Sequence, residues 1–522
     1  MKRLSLLLTV NAIILLAAAF RLDAIHALPY GMHNDEAVEG LDALKVIAGA
    51  RPIFLTDNNG REPLFVYLAA FSILVFGRTP GAIRIVSALA GILMIPGLYL
   101  AARALFGRRT GLLAAFIGAI TIWPILLSRL GTRPALLPLL LSYGLWQGIR
   151  GWQTGRWRHW LLSGVLWGTA FYTYTPIRVM PLAILLFAGF LIVKGDGRRL
   201  WPGALLFAVA CAVCIAPLAI YTLYHPNEIS TRLDQATVIK WDDDVKTILN
   251  TMSFQTYVVA QMFVWDGDPN PRHNISRHPI FDVAMFVPFA IGWILALRRR
   301  RPALVFCGLW VVVGLLPTLM SEGAPHFLRS SGTLPVFFVF PALGLVWLDR
   351  QLRQRMHPAL ATSLGAGILL VSTVVTIRYY TLDHYLAQTY TNFFFDIDRT
   401  EVAIAVNRLL GTGWQAPLDD TATSVNDAGQ YTIWIDARLW GYPVHSYIVP
   451  VKPGPESQVR LLMQESDPFV AMPLALIVPP EEAQHWLTRA PSNREAFILD
   501  GAWIPTSRVR PGRLVYRLVI VP

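Results

Sequence analysis

Apolar runs near the length of a membrane span recur along the first three quarters of this chain and leave it few ways to fold outside lipid. They lie near 4–22, 82–105, 110–128, 134–149, 159–175, 177–193, 200–224, 281–297, 302–320, 332–348 and 358–378, and a helix needs about twenty such residues to cross ~30 Å of hydrocarbon. With 54% hydrophobic and 15% charged residues, the chain has too little polar surface to keep that many helices in water. The expected fold class is mostly α: a polytopic membrane protein of about eleven transmembrane helices. The further run at 63–76 has only about fourteen residues, so it is read as an interfacial or re-entrant helix.

The net charge of +12 reads as topology, because Lys and Arg punctuate the apolar runs instead of collecting on one soluble face. Nucleic acid is therefore not an expected partner. A cytoplasmic N-terminus, with 63–76 not crossing, puts Arg108-Arg109, the basic residues of 150–158, 194–199 and 350–355, and the run Arg298 to Arg301 in cytoplasmic loops. Counting 63–76 as a span would turn the four-arginine run outward. The run at 4–22 suits a signal peptide too, with Ala17-Ala18-Ala19 as a cleavage site. It is read as an uncleaved anchor, since the polar segment after it needs a helix to hold it at the membrane. Cys211, Cys214 and Cys307 fall in apolar runs, where neither redox nor zinc chemistry is expected.

Three long segments then lie on the extracytoplasmic side of the cell membrane: about 23–81, about 225–280, and everything after about 379. The expected domains are a membrane module at 1–378 and a small extracytoplasmic α/β domain at 379–522. In the latter, β-rich runs at 431–435, 474–478 and 514–521 alternate with helical patterns at 400–410, 456–464 and 481–488.

Chemistry is expected at the outer boundaries. Asp35-Glu36 beside His33 follows the first span, and a carboxylate there suits a general base toward an acceptor hydroxyl or amine. The structural alternative is helix capping, with Asn34 or Asp35 as N-cap of an amphipathic helix at 37–48. Arg61 and Glu62 precede a helix begun by Pro63, where a cation suits a membrane-surface phosphate, though an interfacial anchor would look the same. Arg129 and Arg133 flank a turn after the third span, and each can also snorkel. Arg272 and His273 sit in the turn-rich 265–274 segment, a candidate lid rather than a calcium loop. Glu322, His326 and Arg329 lie in the loop after the ninth span, where phosphate binding and loop anchoring weigh equally.

Asp35-Glu36-Ala37, Gly60-Arg61-Glu62-Pro63-Leu64, Arg84 to Gly91 and Leu105 to Gly111 together resemble the start of the polytopic C-type (GT-C) glycosyltransferases. The chain is most similar to bacterial relatives of the protein O-mannosyltransferases (family 39-like) and of the aminoarabinose transferases. The resemblance is specific over about 20–150 and looser to about 380. It implies a GT-C-type architecture, Asp35 as the catalytic carboxylate, beside which Glu36 is a second catalytic candidate by position, and Arg61 in place of a lysine that binds donor phosphate. It also implies two surface helices in the first external loop. Where relatives carry an acidic residue after the third span, this chain has Arg129 and Arg133, which argues for a direct grip on phosphate there.

The expected activity is transfer of a monosaccharide from a polyprenyl-phosphate donor to an extracytoplasmic acceptor, inverting the anomeric centre. Arg61, Arg129, Arg133, His326 and Arg329 would hold the phosphate, and His33, Glu62, Arg272, His273 and Glu322 the acceptor or lid. The expected partners are the lipid-linked sugar, membrane lipid, and a protein, lipid or cell-envelope glycan acceptor. No cofactor is required by the chemistry, although Glu36, Glu62, His273 and His326 would suit a divalent cation. A transporter of lipid-linked saccharides is the rival; against it stand spans almost free of charge and the lack of an internal repeat. A non-catalytic scaffold is a second.

Overall fold

The computed structural model describes residues 2–58, 60–195, 197–226, 228, 237–240, 242–299, 301–381, 394–415, 429–463, 466–504 and 513–522. Arg300, Gln464, the start of the C-terminal segment at 382–393 and parts of the 225–280 segment (227, 229–236 and 241) lie outside them.

Ten helices cover the first part of the chain: α1 Lys2–Leu22, α2 Asn34–Ile47, α3 Leu64–Phe76, α4 Pro80–Phe106, α5 Arg108–Ile120, α6 Ile122–Leu127, α7 Leu136–Thr154, α8 Trp157–Ala170, α9 Met180–Val193 and α10 Gly197–Tyr224. Helices Val245–Gln261, Val283–Arg298, Pro302–Gly314, Val339–Leu352 and Pro358–Arg378 follow. Among the described residues, seven of the expected runs form stretches of at least 18 residues that are long and apolar enough to cross a membrane: Leu4–Leu22, Pro80–Phe106, Thr175–Val193, Trp201–Tyr224, Pro302–Leu319, Ser331–Leu352 and Pro358–Thr381. The other expected runs are helical but shorter, interrupted or more polar. The 110–128 run breaks at Thr121, whose extended backbone separates α5 from α6. Val283–Arg298 and α3 are short apolar helices, and the 13 residues of α3 rise about 20 Å, less than the ~30 Å hydrocarbon core.

The molecule divides into two compact units, residues 1–23, 51–65 and 86–380 in the first and 24–50, 66–85 and 381–522 in the second. The first is a helical bundle whose core is aromatic: Trp293 stacks on Phe340 with centroids 4.3 Å apart, and Phe281 on Phe337 at 5.6 Å. Helix-to-helix approach there relies on small residues. A Cβ at Gly292 or Gly344 would overlap the backbone of the facing helix, so neither position accepts alanine without displacement.

In the second unit a five-stranded sheet runs in the order β2-β1-β3-β7-β4, with β1 Thr432–Asp436, β2 Val459–Leu462, β3 Leu474–Val478, β4 Phe497–Asp500 and β7 Arg517–Val521; β5 Trp503–Ile504 and β6 Arg513–Leu514 form a separate pair. β1 is parallel to β2 and β3, and β7 is antiparallel to β3 and β4. Every side chain of β3 is buried, as a central strand covered on both faces requires. The helical pattern expected at 456–464 is overturned: Val459–Leu462 is strand β2, because pairing with β1 outweighs a short run's helix propensity.

The 24–50 and 66–85 segments share that unit. Arg78 donates to the carbonyls of Ser446, Tyr447 and Val449 at the end of helix Val444–Ile448, and Tyr447 donates its hydroxyl to Thr79 O at 3.0 Å. A Cβ on Gly40 of α2 would overlap the Tyr447 ring. Replacing Gly40 with Leu is therefore expected to lower the thermal midpoint of the purified protein, with an effect of the size of core overpacking, roughly 1–3 kcal/mol.

Candidate active site

The N-cap of α2 is His33, one residue before the expected Asn34 or Asp35. Its Nδ1 accepts from the Asp35 N–H at 2.9 Å, and the Glu36 carboxylate accepts from the His33 N–H at 3.1 Å, forming a capping box. A histidine cap escapes sequence reading because Ser, Thr, Asp and Asn dominate that position. With Nδ1 accepting, the neutral ring carries its proton on Nε2. The Asp35 carboxylate, 46% exposed, stands 3.7 Å from His33 Nδ1.

Glu36 has a different environment. Its carboxylate is fully buried and takes two charge-assisted hydrogen bonds from Arg84, Nε to Oε1 at 2.9 Å and Nη2 to Oε2 at 2.9 Å. Arg84 also donates to the carbonyls of Pro29 and Gly31. Of the two acids read together from sequence, Glu36 thus ties the 29–36 turn to Arg84, while Asp35 presents a carboxylate to solvent. Sequence reading quoted Arg84 only within a motif; a charge in an apolar helix was the available signal.

In the first unit, Arg61 is buried, and its backbone pairs with Leu55 in both directions. Gly60 sits at φ +80° with the Phe54 ring against it, a conformation that favours glycine at this turn. Glu62 is buried next to it and gathers three groups: Thr175 Oγ1 at 3.1 Å, Arg178 Nη2 at 3.4 Å and Arg133 Nε at 3.6 Å. Glu62 therefore orients Arg133 and Arg178; the second of these was missed in the sequence. Arg133 also lies over the Tyr174 ring. Arg129, buried, donates to the carbonyls of Phe20 and Asp23 and lies over Tyr380. Close by, Arg21 donates to the carbonyls of Gly118 and Ala119 at the end of α5, a cation at a helix C-terminus.

A second cluster joins the two later loops. Asp268 accepts from the Phe327 N–H at 2.7 Å and the Asn270 N–H at 2.8 Å, and its Oδ2 lies 3.2 Å from His273 Nδ1. The His273 and His326 rings stack with centroids 4.8 Å apart. Burial raises the Asp268 carboxyl above its usual range and, with the His273 charge, holds His326 well below the ordinary imidazole value. Arg272 bonds Asn270, Arg329 is half-buried and Glu322 is exposed.

Ligand atoms of Asp268, His273 and His326 lie within 4.8 Å of one another. Metal bonds of 2.0–2.1 Å would bring them to about 3.4 Å apart, a closure of side-chain scale. The donor set, two imidazoles and a carboxylate, fits a divalent transition metal. Of the four residues expected to share such a site, only His273 and His326 belong to this cluster; Glu36 is bonded to Arg84, and Glu62 to the arginines.

Residues 60–221 match the family described as dolichyl-phosphate-mannose-protein mannosyltransferase; the match begins at the Gly60-Arg61-Glu62-Pro63 motif. No curated protein sequence matches the chain. Among solved structures, ArnT from Cupriavidus metallidurans bound to undecaprenyl phosphate is similar at a TM-score of 0.56 and 12% identity, over 99% of this chain and 97% of that one. AglB, the oligosaccharyltransferase of Archaeoglobus fulgidus, solved with an inhibitory peptide and a dolichol-phosphate, is similar at 0.54 and 13% identity, over 86% of this chain and 64% of that one. An Archaeoglobus fulgidus oligosaccharyltransferase in complex with zinc and sulfate gives 0.54 and 13%, over 85% and 62%. At these identities the likeness is one of fold, and it bears out the GT-C architecture; the family match over 60–221 bears out the resemblance read from Gly60-Arg61-Glu62-Pro63-Leu64. The chain is a multi-pass membrane protein of that fold.

Proposed function

We propose that this chain transfers a monosaccharide from a polyprenyl-phosphate donor to an acceptor on the extracytoplasmic face, with inversion. The observation that carries the reading is the group of arginines around Glu62: a buried cation, Arg61, directly before it, and two more oriented by it, buried Arg133 and half-buried Arg178. Guanidinium groups match phosphate oxygens bidentately, and the similar ArnT structure is bound to undecaprenyl phosphate.

In the proposed reaction the Asp35 carboxylate takes the proton of the acceptor O–H or N–H, and the acceptor atom attacks the anomeric carbon. The bond from that carbon to the phosphate oxygen breaks, and its electron pair leaves on polyprenyl phosphate. Arg61, with Arg129, Arg133, His326 or Arg329, stabilises that charge. His33 positions Asp35, Glu36 fixes the turn, and Arg272, His273 and Glu322 belong to the loops over acceptor or donor. The phosphate grip is tested by equilibrium binding of undecaprenyl phosphate against uncharged undecaprenol. The wild type is expected to prefer the phosphate at least tenfold and Arg61→Gln to lose most of that preference; equal binding of both lipids by the wild type would overturn the reading.

A divalent cation is the second element of the proposal. Asp268, His273 and His326 would hold it, and a bound cation there would join the two loops and add positive charge to the site. Elemental analysis of the purified protein is expected to give about one divalent metal per chain, lost in His273→Ala/His326→Ala. Equal metal in the variant would refute it.

A further inference from the structure

One space in the bundle lies far from the proposed chemistry. A cavity of about 270 Å³ is bounded by α7, α8, α9 and α10, by Leu105 of α4 and by Phe306. Its lining is hydrocarbon and indole, including Trp152, Trp160, Trp167 and Trp201. Among the described residues its one side-chain hydroxyl, Ser163, is spent on Gly144 O at 2.8 Å. Small residues open the space: Gly144 and Gly148 on α7, Ala188 on α9 and Ala204 on α10. At its edge Ile192 is 67% exposed and Trp201 70%, so it faces the surroundings of the bundle.

Position along the helices separates it from the proposed active site. On α7, Arg133 precedes the first turn while Gly148 lies fifteen residues on, about 22 Å at 1.5 Å per residue. On α9, Arg178 precedes the helix and Leu191 and Ile192 line the cavity near its far end. The mouth therefore belongs to the opposite membrane face, where Arg150, Arg156, Arg158 and Lys194 flank the lining in sequence, and Arg198-Arg199 directly precede Trp201. Between 144 and 207 Asp196 is the sole acidic residue in the sequence.

We infer that this cavity binds one acyl chain of an anionic glycerophospholipid from the cytoplasmic leaflet, with the headgroup among Arg150, Arg156, Arg158 and Lys194. A dry apolar cavity of about 150 Å³ already admits benzene, and water gains nothing where polar partners are lacking. Basic residues near the membrane surface select anionic headgroups, each worth roughly a fewfold in affinity. The lipid acts as a wedge that fixes α7 to α10, so its binding raises the stability of the bundle. The inference does not depend on the transfer reaction.

The test uses the full-length protein stripped in detergent and titrated with phosphatidylglycerol or phosphatidylcholine, followed by native mass spectrometry and thermal unfolding. The wild type is expected to keep one phosphatidylglycerol, bound about tenfold more tightly than phosphatidylcholine, with a higher midpoint. Ala204→Trp, which fills the cavity, is expected to lose the retained lipid. Arg150→Gln/Lys194→Gln leaves the cavity intact, and is expected to keep lipid but bind the two headgroups equally. A wild type that retains no lipid, retains polyprenyl phosphate in its place, or shows no headgroup preference would overturn the inference, as would undiminished retention in a folded Ala204→Trp.

Discussion

Asp35→Asn is expected to lower sugar transfer by about 10²–10⁴-fold, the usual contribution of a positioned general base, while leaving the protein as stable as the wild type. The substitution preserves shape and the Asp35 N–H that bonds His33, so the α2 cap survives. What it removes is the proton acceptor. Donor binding is expected to be unchanged, and a parallel loss of undecaprenyl phosphate binding would show that Asp35 holds the donor instead. Activity within twofold of wild type, from a panel of acceptors, would remove Asp35 from the mechanism.

The second large effect falls on stability. Arg84→Met leaves the Glu36 carboxylate buried without its bidentate partner and frees the Pro29 and Gly31 carbonyls. Breaking a buried pair in this way costs roughly 3–5 kcal/mol. The expected readouts are a much lower unfolding midpoint and fast amide exchange over Met32–Ala37, the turn that carries Asp35. Pairing the change with Glu36→Leu removes the orphaned charge and is expected to restore part of the stability but not the activity. If Arg84→Met alone unfolds like wild type, the pair does not hold that turn.

These outcomes separate what the sequence makes legible from what only packing decides. Apolar runs are additive along the chain, so the helical bundle could be read directly, and Gly60 to Pro63 announced both a turn and a cation. Span counting was less secure: an interruption such as Thr121 leaves the composition of a run unchanged while ending its helix. Glu36 looked equivalent to Asp35 because their difference lies in Arg84, a partner 48 residues away in sequence. In the same way Glu62 read as an acceptor residue until Arg133 and Arg178 were seen to converge on it, and Asp268 stood in a quoted loop without any mark of its link to Phe327. Long-range pairing likewise made a strand of Val459–Leu462, where local pattern suggested helix.

The central claim is that a lipid-phosphate-linked sugar is the substrate, and donor turnover tests it most directly. Purified protein is to be incubated with a panel of radiolabelled polyprenyl-phosphate monosaccharides and cell-envelope acceptors, with release of free polyprenyl phosphate measured. The account predicts release from at least one donor, abolished by Asp35→Asn and strongly reduced by Arg61→Gln. Release that neither variant alters, or none from any donor by a protein that binds undecaprenyl phosphate, would contradict it.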